Sequence, residues 1–161
     1  MSLWPERLSL TALASAAVRK RALVRAPLWL YEHRLGRLLG ERFLMLEHIG
    51  RTSGSVRTAC LEVIDRPEPD SVIVVSGFGT TAQWFRNLRA HPQCHVTLGR
   101  ARYAATAEIL TPDEVRVALD HYQEAHPRAW KQLRGILEEM HGGPIDELPA
   151  LRFRLGESTT A

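Results

Sequence analysis

The segment Gly50–Arg57, which reads Gly-Arg-Thr-Ser-Gly-Ser-Val-Arg, is the feature that most constrains how this chain folds. It lies between two apolar runs, 43–49 and 57–64, that have the length and composition of β-strands. Gly50 and Gly54 permit the backbone conformations of a tight turn, which larger side chains obstruct. The segment therefore predicts a hairpin at the start of a mainly antiparallel β-structure.

The rest of the chain combines short strands with helices. The run Val72–Val75 is apolar on both faces, which predicts a central strand over 71–76 after an exposed connection at 65–70. Thr111, Pro112 and Glu114 form a helix start with a capping box. The other predicted elements are a helix over 82–90, strands over 94–98, 101–110 and 151–155, and helices over 111–125 and 128–140. The sum is an α+β barrel of about six strands, with helices at both ends and one inserted after the third strand.

The length of 161 residues and the hydrophobic content of 45% predict a single domain over 1–161. Within it we expect a basic, helical N-terminal arm over 1–40 and a barrel body over 41–156. Residues 1–42 hold eight Lys or Arg side chains against three Glu. This charge predicts an anionic partner for the arm, such as a lipid surface or an acidic cofactor tail. The alternative is that the charges only form the solvated face of a helix.

The two cysteines, Cys60 and Cys94, each lie in an apolar strand run, where a small buried thiol is the simplest interpretation. A disulfide between them stays open, but a reducing cytoplasm fits better. No apolar run has the ~20 residues that a membrane span needs, and Arg19–Arg21 follow the short apolar run 8–18, which argues against a secretion signal. We therefore expect a cytoplasmic protein whose arm contacts the inner face of the membrane as a peripheral partner.

Several common chemistries have no support in the sequence. His91 and His95 are four residues apart, but Pro92 breaks any helix that would align them, so we expect no metal site. There is no nucleophile elbow, Walker A loop or Rossmann glycine pattern. Aromatic residues are few and do not interleave with a basic stripe, so we expect no nucleic-acid partner.

The hairpin segment is a candidate anion site. Its glycines expose backbone N–H groups, Thr52 and Ser53 add hydroxyl donors, and Arg51 and Arg57 add charge-assisted donors. A plain hairpin with solvated arginines is the alternative.

A second candidate site, Ser76–Gly79, follows the central strand. Its glycines allow the main chain to lie against a flat ring and offer N–H and C=O groups to the ring's polar edge. In the next helix, Trp84 and Asn87 share a face, where they can contact an aromatic cofactor. The alternative is that Trp84, Phe85 and Leu88 are the buried stripe of a short helix. Together, the two segments predict a barrel whose rim holds a phosphorylated, ring-bearing cofactor.

The motif Gly50-Arg51-Thr52-Ser53-Gly54-x-x-Arg57, the valine-rich strand with its glycine turn, and Trp84-Phe85-x-Asn87-Leu88-x-Ala90-x-Pro92 resemble the deazaflavin-dependent nitroreductase family. This family is also called the F420-dependent quinone reductases, and the resemblance covers roughly residues 40–126. It implies a split β-barrel related to FMN-binding oxidoreductases, with coenzyme F420, an 8-hydroxy-5-deazaflavin carrying a phosphate and an oligoglutamate tail. It also implies hydride transfer to a quinone-like or other conjugated acceptor.

The resemblance assigns cofactor-binding residues by position. The phosphate and tail would contact Arg51, Thr52, Ser53 and Arg57, and the ring would be lined by Thr58, Ala59, Cys60 and Leu61. Backbone groups would come from Val75, Ser76, Gly77 and Phe78, and the site would be closed by Gln83, Trp84, Phe85, Arg86 and Asn87. No catalytic side chain is required, since hydride transfer is the chemistry of the cofactor.

The sequence departs from nitroreductase-like members, where tyrosines follow the late helix, because it has Trp130 in that region. Trp130 is therefore a candidate acceptor-pocket residue, and nitroreduction loses support. Two alternatives stay open: a split barrel that binds a cofactor or lipid without turnover, and a relative that uses FMN. The oligomeric state, the physiological acceptor and the reaction direction do not follow from the sequence.

Overall fold

A computed structural model describes residues 40–160, so the predicted N-terminal arm lies outside the described residues except for Gly40. The arm's helices, its membrane contact and its anionic partner therefore stay predictions. The described residues form a curled antiparallel sheet of seven strands in the order β2-β1-β5-β6-β7-β4-β3. The strands are β1 Phe43–Ile49, β2 Val56–Glu62, β3 Asp65–Glu68, β4 Ser71–Val75, β5 Gln93–Leu98, β6 Ala101–Ile109 and β7 Ala150–Thr160.

Three α-helices accompany the sheet in the described residues: α1 Gln83–Ala90, α2 Pro112–Ala125 and α3 Pro127–His141. The start of α2 confirms the predicted capping box. The backbone N–H of Thr111 donates to Glu114 Oε2 at 2.8 Å, and the N–H of Glu114 donates to Thr111 Oγ1 at 3.3 Å. Two of the otherwise unpaired N–H groups at the helix start are thus satisfied.

The strands β2 and β3 are two halves of one bent segment that closes the sheet on itself. The N–H of Val63 donates to the carbonyl of Arg42, next to β1, at 2.8 Å. The N–H of the next residue, Ile64, donates to the carbonyl of Ile73 in β4, also at 2.8 Å. The chain thus passes from pairing with β1 to pairing with β4. β2 and β4 also approach within 8 Å between Cα atoms but do not pair, and we call this unpaired gap the split.

The barrel interior is filled by inward-facing strand residues and by the buried face of α1. Leu46, Val96 and Phe153 are fully buried, and Phe85 of α1 packs among them. A second apolar cluster lies where α2 packs against β4, and it includes Ile73, Leu119 and Tyr122.

Most predicted elements are confirmed with small differences in their bounds. The predicted exposed connection at 65–70 was wrong in part, because Asp65–Glu68 forms the edge strand β3. Ile109, at the end of β6, is 53% exposed. In the part of the chain from 40 to 160, no helix is long and apolar enough to span a bilayer.

Candidate functional site at the split of the barrel

The hairpin between β1 and β2 has a fixed shape. The N–H of Gly50 donates to the Ser55 carbonyl and the N–H of Gly54 donates to the Gly50 carbonyl, both at 2.8 Å. Gly54 has a φ of +67°, which favours glycine. A Cβ at Gly50 would lie 2.6 Å from Ser53 Oγ, so a larger residue there would require the Ser53 side chain to move. The backbone of Gly54 thus has the tight-turn conformation that the sequence predicts.

Arg51 ties this hairpin to α1. Its backbone N–H and its Nη1 both donate to Asn87 Oδ1, at 3.1 and 2.7 Å. Nη1 also donates to Gln83 Oε1 at 3.0 Å. Three of the predicted site residues are thus brought together, but mainly through contacts with one another.

Arg57 and Thr52 have no such contacts. Both are exposed, and within residues 40–160 neither side chain makes a hydrogen bond or ion pair. Ser53 is also exposed, and its Oγ accepts from the Ser55 N–H at 3.2 Å. An exposed guanidinium beside exposed hydroxyls fits an anionic ligand, which needs donors not already used within the fold.

The four ring-lining candidates in β2 divide over two faces of the strand. Ala59 and Leu61 pack against the barrel interior. Thr58 and Cys60 alternate with them and therefore point to the other face. A ring on one side of the strand can therefore contact the side chains of only one of these pairs, and the assignment of all four residues to the ring stays a prediction. What they share is the unpaired backbone edge of β2 along the split.

On the opposite side of the split, β4 ends in the turn Ser76–Gly79. The N–H of Ser76 donates to the Pro149 carbonyl at 2.8 Å, and its Oγ donates to the Gly79 carbonyl at 2.7 Å. The N–H of Gly79 donates to the Ser76 carbonyl at 2.9 Å. The N–H groups of Gly77 and Phe78 have no partner among the described residues, so they are the turn's available donors.

Helix α3 covers the other side of this turn. A Cβ added to Gly77 would lie 2.9 Å from Met140 Cε and 3.1 Å from Leu137 Cδ2. Trp130, also on α3, is half-buried and packs in the same clusters as Val75, with its ring 6.3 Å from that of Tyr122. The close approach of α3 is therefore a second reason for glycine at position 77, which the sequence reasoning did not consider.

Helix α1 contributes differently from the prediction. Phe85 is 2% exposed and packs in the barrel interior, so its side chain is a core residue and not a ligand contact. Trp84 is half-buried against the same interior, with its ring edge-on to Phe85 at 6.0 Å. Gln83 and Arg86 are exposed. The alternative interpretation of a buried helix stripe is confirmed for Phe85 and Leu88.

Hollows indent the described surface, and no predicted cofactor residue lines either of two prominent ones. The larger, of about 720 Å³, crosses β1, β5, β6 and β7 and is lined by Glu47, His95, Arg102 and Arg154, among others. The smaller, of about 390 Å³, lies beside Arg66 and Tyr122. The predicted residues of β2 and of the turn after β4 instead lie on the two sides of the split.

Sequence reasoning missed His48, which is 3% exposed below the hairpin. Its Nδ1 lies 3.2 Å from Asn87 Nδ2. Burial and the nearby charge of Arg57 lower the pKa of His48 below its usual value. The available signal was its position in β1, because it continues the inward alternation of Leu44 and Leu46 with a polar side chain.

These features define the chain as a split β-barrel of the FMN-binding-like class. Solved structures support this fold. A structure described as an F420-H2 dependent reductase (FDR-A) matches 71% of this chain and 95% of its own, with a TM-score of 0.50 and 18% identity. The heme storage protein HutZ from Vibrio cholerae matches 81% of this chain and 94% of its own, with a TM-score of 0.55 and 12% identity.

The family itself follows from the sequence match. The chain belongs to the F420H(2)-dependent quinone reductase family, whose model matches residues 23–134. A curated Mycobacterium tuberculosis (strain ATCC 25618 / H37Rv) protein, also named for F420H(2)-dependent quinone reduction, is 37% identical over 75 residues. That match covers 44% of this chain and 60% of the relative, so it spans less than two thirds of the relative's length.

Proposed function

We propose that this chain is a coenzyme F420-dependent oxidoreductase that passes hydride from reduced deazaflavin to a quinone-like acceptor. The observation that carries the proposal is that both sides of the split hold donors without a partner in the part of the chain that the structure describes. Arg57 and Thr52 lie on the hairpin side, and the N–H groups of Gly77 and Phe78 lie on the other. An anionic tail and the polar edge of a flat ring need these two kinds of donor. Membership of the family supports the choice of cofactor.

The cofactor, when bound, supplies the hydride itself, so the chain's residues bind, orient and shield. Arg57 and the hydroxyls of Thr52 and Ser53 bind the anionic part. The backbone N–H groups of Gly77 and Phe78 would hold the polar edge of the ring, and Thr58, Cys60 and the edge of β2 would contribute from the opposite side of the split. Trp130 stands beside Val75 as the acceptor-side residue. The family's name and that of the curated relative support a quinone as the acceptor.

Titration with coenzyme F420 and, separately, with FMN tests the cofactor, with quenching of tryptophan fluorescence as the signal. Arg57→Ala should weaken F420 binding by about 1.5–3 kcal/mol, because it removes a charge-assisted contact. Arg89→Ala is the matched control, since Arg89 is an exposed arginine at the end of α1. Equal dissociation constants for the Arg57→Ala variant and the unmodified protein would contradict the role given to Arg57.

Turnover is measured as oxidation of reduced F420 by menadione. Tight binding of F420 without acceleration of this reaction would instead support a binding protein without turnover. Preference for FMN in the titration would support the FMN-using alternative.

A further inference from the structure

Three polar side chains, His48, Asn87 and the partly exposed Arg51, form a chain of hydrogen bonds that leads from the buried interior to the hairpin. His48 of β1 and Asn87 of α1 are 3% and 5% exposed, and His48 Nδ1 lies 3.2 Å from Asn87 Nδ2. On its other side, Asn87 Oδ1 is 3.1 Å from the backbone N of Arg51 and 2.7 Å from its Nη1. The side-chain amide of Asn87 therefore connects strand β1, helix α1 and the hairpin.

The chemistry of these groups fixes their orientation. Both nitrogens of Arg51 can only donate, so the Asn87 oxygen must face them and its NH₂ group must face His48. The ring nitrogen Nδ1 of His48 is then an acceptor without a proton. In the neutral ring, the proton therefore sits on Nε2.

This arrangement holds part of Arg51 still while leaving part of it unused. The guanidinium is committed through Nη1, to Asn87 and Gln83. Within the described part of the chain, no hydrogen bond uses Nε or Nη2 of Arg51. A guanidinium fixed on one edge presents its other edge to a ligand without losing further side-chain freedom on binding.

We propose that His48 and Asn87 are positioning residues, which hold Arg51 in the orientation that binds the anionic part of the cofactor. This inference rests on the proposed function. It changes the role of Asn87 from a cofactor contact to a support of Arg51, and it adds His48, which does not reach the split itself.

Protonation of His48 should disrupt the hydrogen bonds that connect His48, Asn87 and Arg51. A proton on Nδ1 would face the NH₂ of Asn87, and a flipped amide would face the donors of Arg51 instead. The charged groups around His48 are Arg57 of β2, Arg51 beyond Asn87, and the lining of the larger hollow, Glu47, His95, Arg102 and Arg154. Arg57 lies opposite His48 in the β1–β2 register, and its charge disfavours a second cation there.

The test compares three proteins. His48→Leu removes the acceptor and should weaken F420 binding about tenfold. His48→Asn supplies a carbonyl oxygen near the position of Nδ1 and should recover most of that loss. Acidification should weaken F420 binding more in the unmodified protein than in the His48→Asn variant, because an asparagine does not titrate.

A double-mutant cycle separates positioning from general loss of structure. In an Arg51→Ala background, His48→Leu should change the F420 dissociation constant less than about twofold, because its effect passes through Arg51. Val96→Ala, a destabilising change in the barrel interior, serves as the control and should not weaken binding as His48→Leu does. A full tenfold effect of His48→Leu without Arg51 would overturn the proposal.

A second readout needs no cofactor. In ¹⁵N NMR spectra, His48 should show an unprotonated Nδ1, and the side-chain signals of Arg51 should lose their protection from solvent exchange in His48→Leu. Unchanged Arg51 signals would refute the positioning role, whether or not F420 binds. Failure of the unmodified protein to bind F420 would instead count against the proposed function alone.

Discussion

Gly77 lies between the split on one side and helix α3 on the other. Its N–H donates to no group within residues 40–160, while an added Cβ would lie 2.9 Å from Met140 Cε and 3.1 Å from Leu137 Cδ2 of α3. Its φ is not in the left-handed region, so an alanine here would meet a packing problem and no backbone strain.

Gly77→Ala should therefore lower the free energy of unfolding by about 1 kcal/mol. The contact at 2.9 Å involves the end of a flexible methionine, which can move, and the alanine gains about 0.4–1 kcal/mol by restricting the unfolded chain. In a Met140→Ala background, the same substitution should be neutral or stabilising. Urea unfolding of the unmodified protein, the two single variants and the double variant measures this. An equal loss of stability from Gly77→Ala in both backgrounds would show that packing against α3 is not the reason for glycine at position 77.

Among the secondary-structure elements, α2 begins with a capping box whose residues are close together in the sequence. Thr111→Ala removes the side-chain acceptor for the Glu114 N–H and should cost about 1 kcal/mol of stability. Glu114 Oε1 also lies 3.3 Å from Arg152 Nη1 of β7, so loss of the capping box should also weaken this ion pair between α2 and the sheet. Val117→Ala, at a 51% exposed position of the same helix, should stay within about 0.5 kcal/mol of the unmodified protein in chemical denaturation.

The elements that could be predicted from the sequence are those with local signals: the apolar runs of β1 and β4, the capping box of α2, and the glycine turn between β1 and β2. It missed β3, because Asp-Arg-Pro-Glu has no apolar period and includes a proline. That strand exists because the chain bends at Val63 and Ile64 and has an open partner in β4. Such pairing depends on distant segments, and no local pattern records it.

The candidate site divides in the same way. The glycines and arginines of the hairpin were recognisable because turn chemistry is local. The links from Arg51 to Asn87, 36 residues away, and from Asn87 to His48, 39 residues away, depend on how α1 packs on β1. The burial of Phe85 depends on the same packing, so the sequence motif alone assigned it to the cofactor.

The whole barrel is a fold that proteins with different described functions share. Solved structures described as an F420-H2 dependent reductase and a heme storage protein share it at 18% and 12% identity. Since a fold alone does not specify a function, the donors at the split have to carry the functional argument.

The two thiols test whether the barrel opens only as a unit. Burial raises the pKa of both Cys60 and Cys94 to about 12, and both are free thiols. Only a thiolate reacts quickly, so both thiols should react slowly in the folded protein near pH 8. Cys60 lies on β2 beside the split, whereas Cys94 lies on β5 and lines the larger hollow.

The bent β2–β3 segment pairs with both β1 and β4, so separation at the split should require the loss of the whole sheet. We expect a charged disulfide reagent to modify Cys60→Ser and Cys94→Ser proteins at similar slow rates. In increasing urea, both rates should rise together with the loss of tryptophan fluorescence. Modification of Cys60 well below that transition, with Cys94 still protected, would show instead that the split opens by itself, and a ligand bound there would then have to close it.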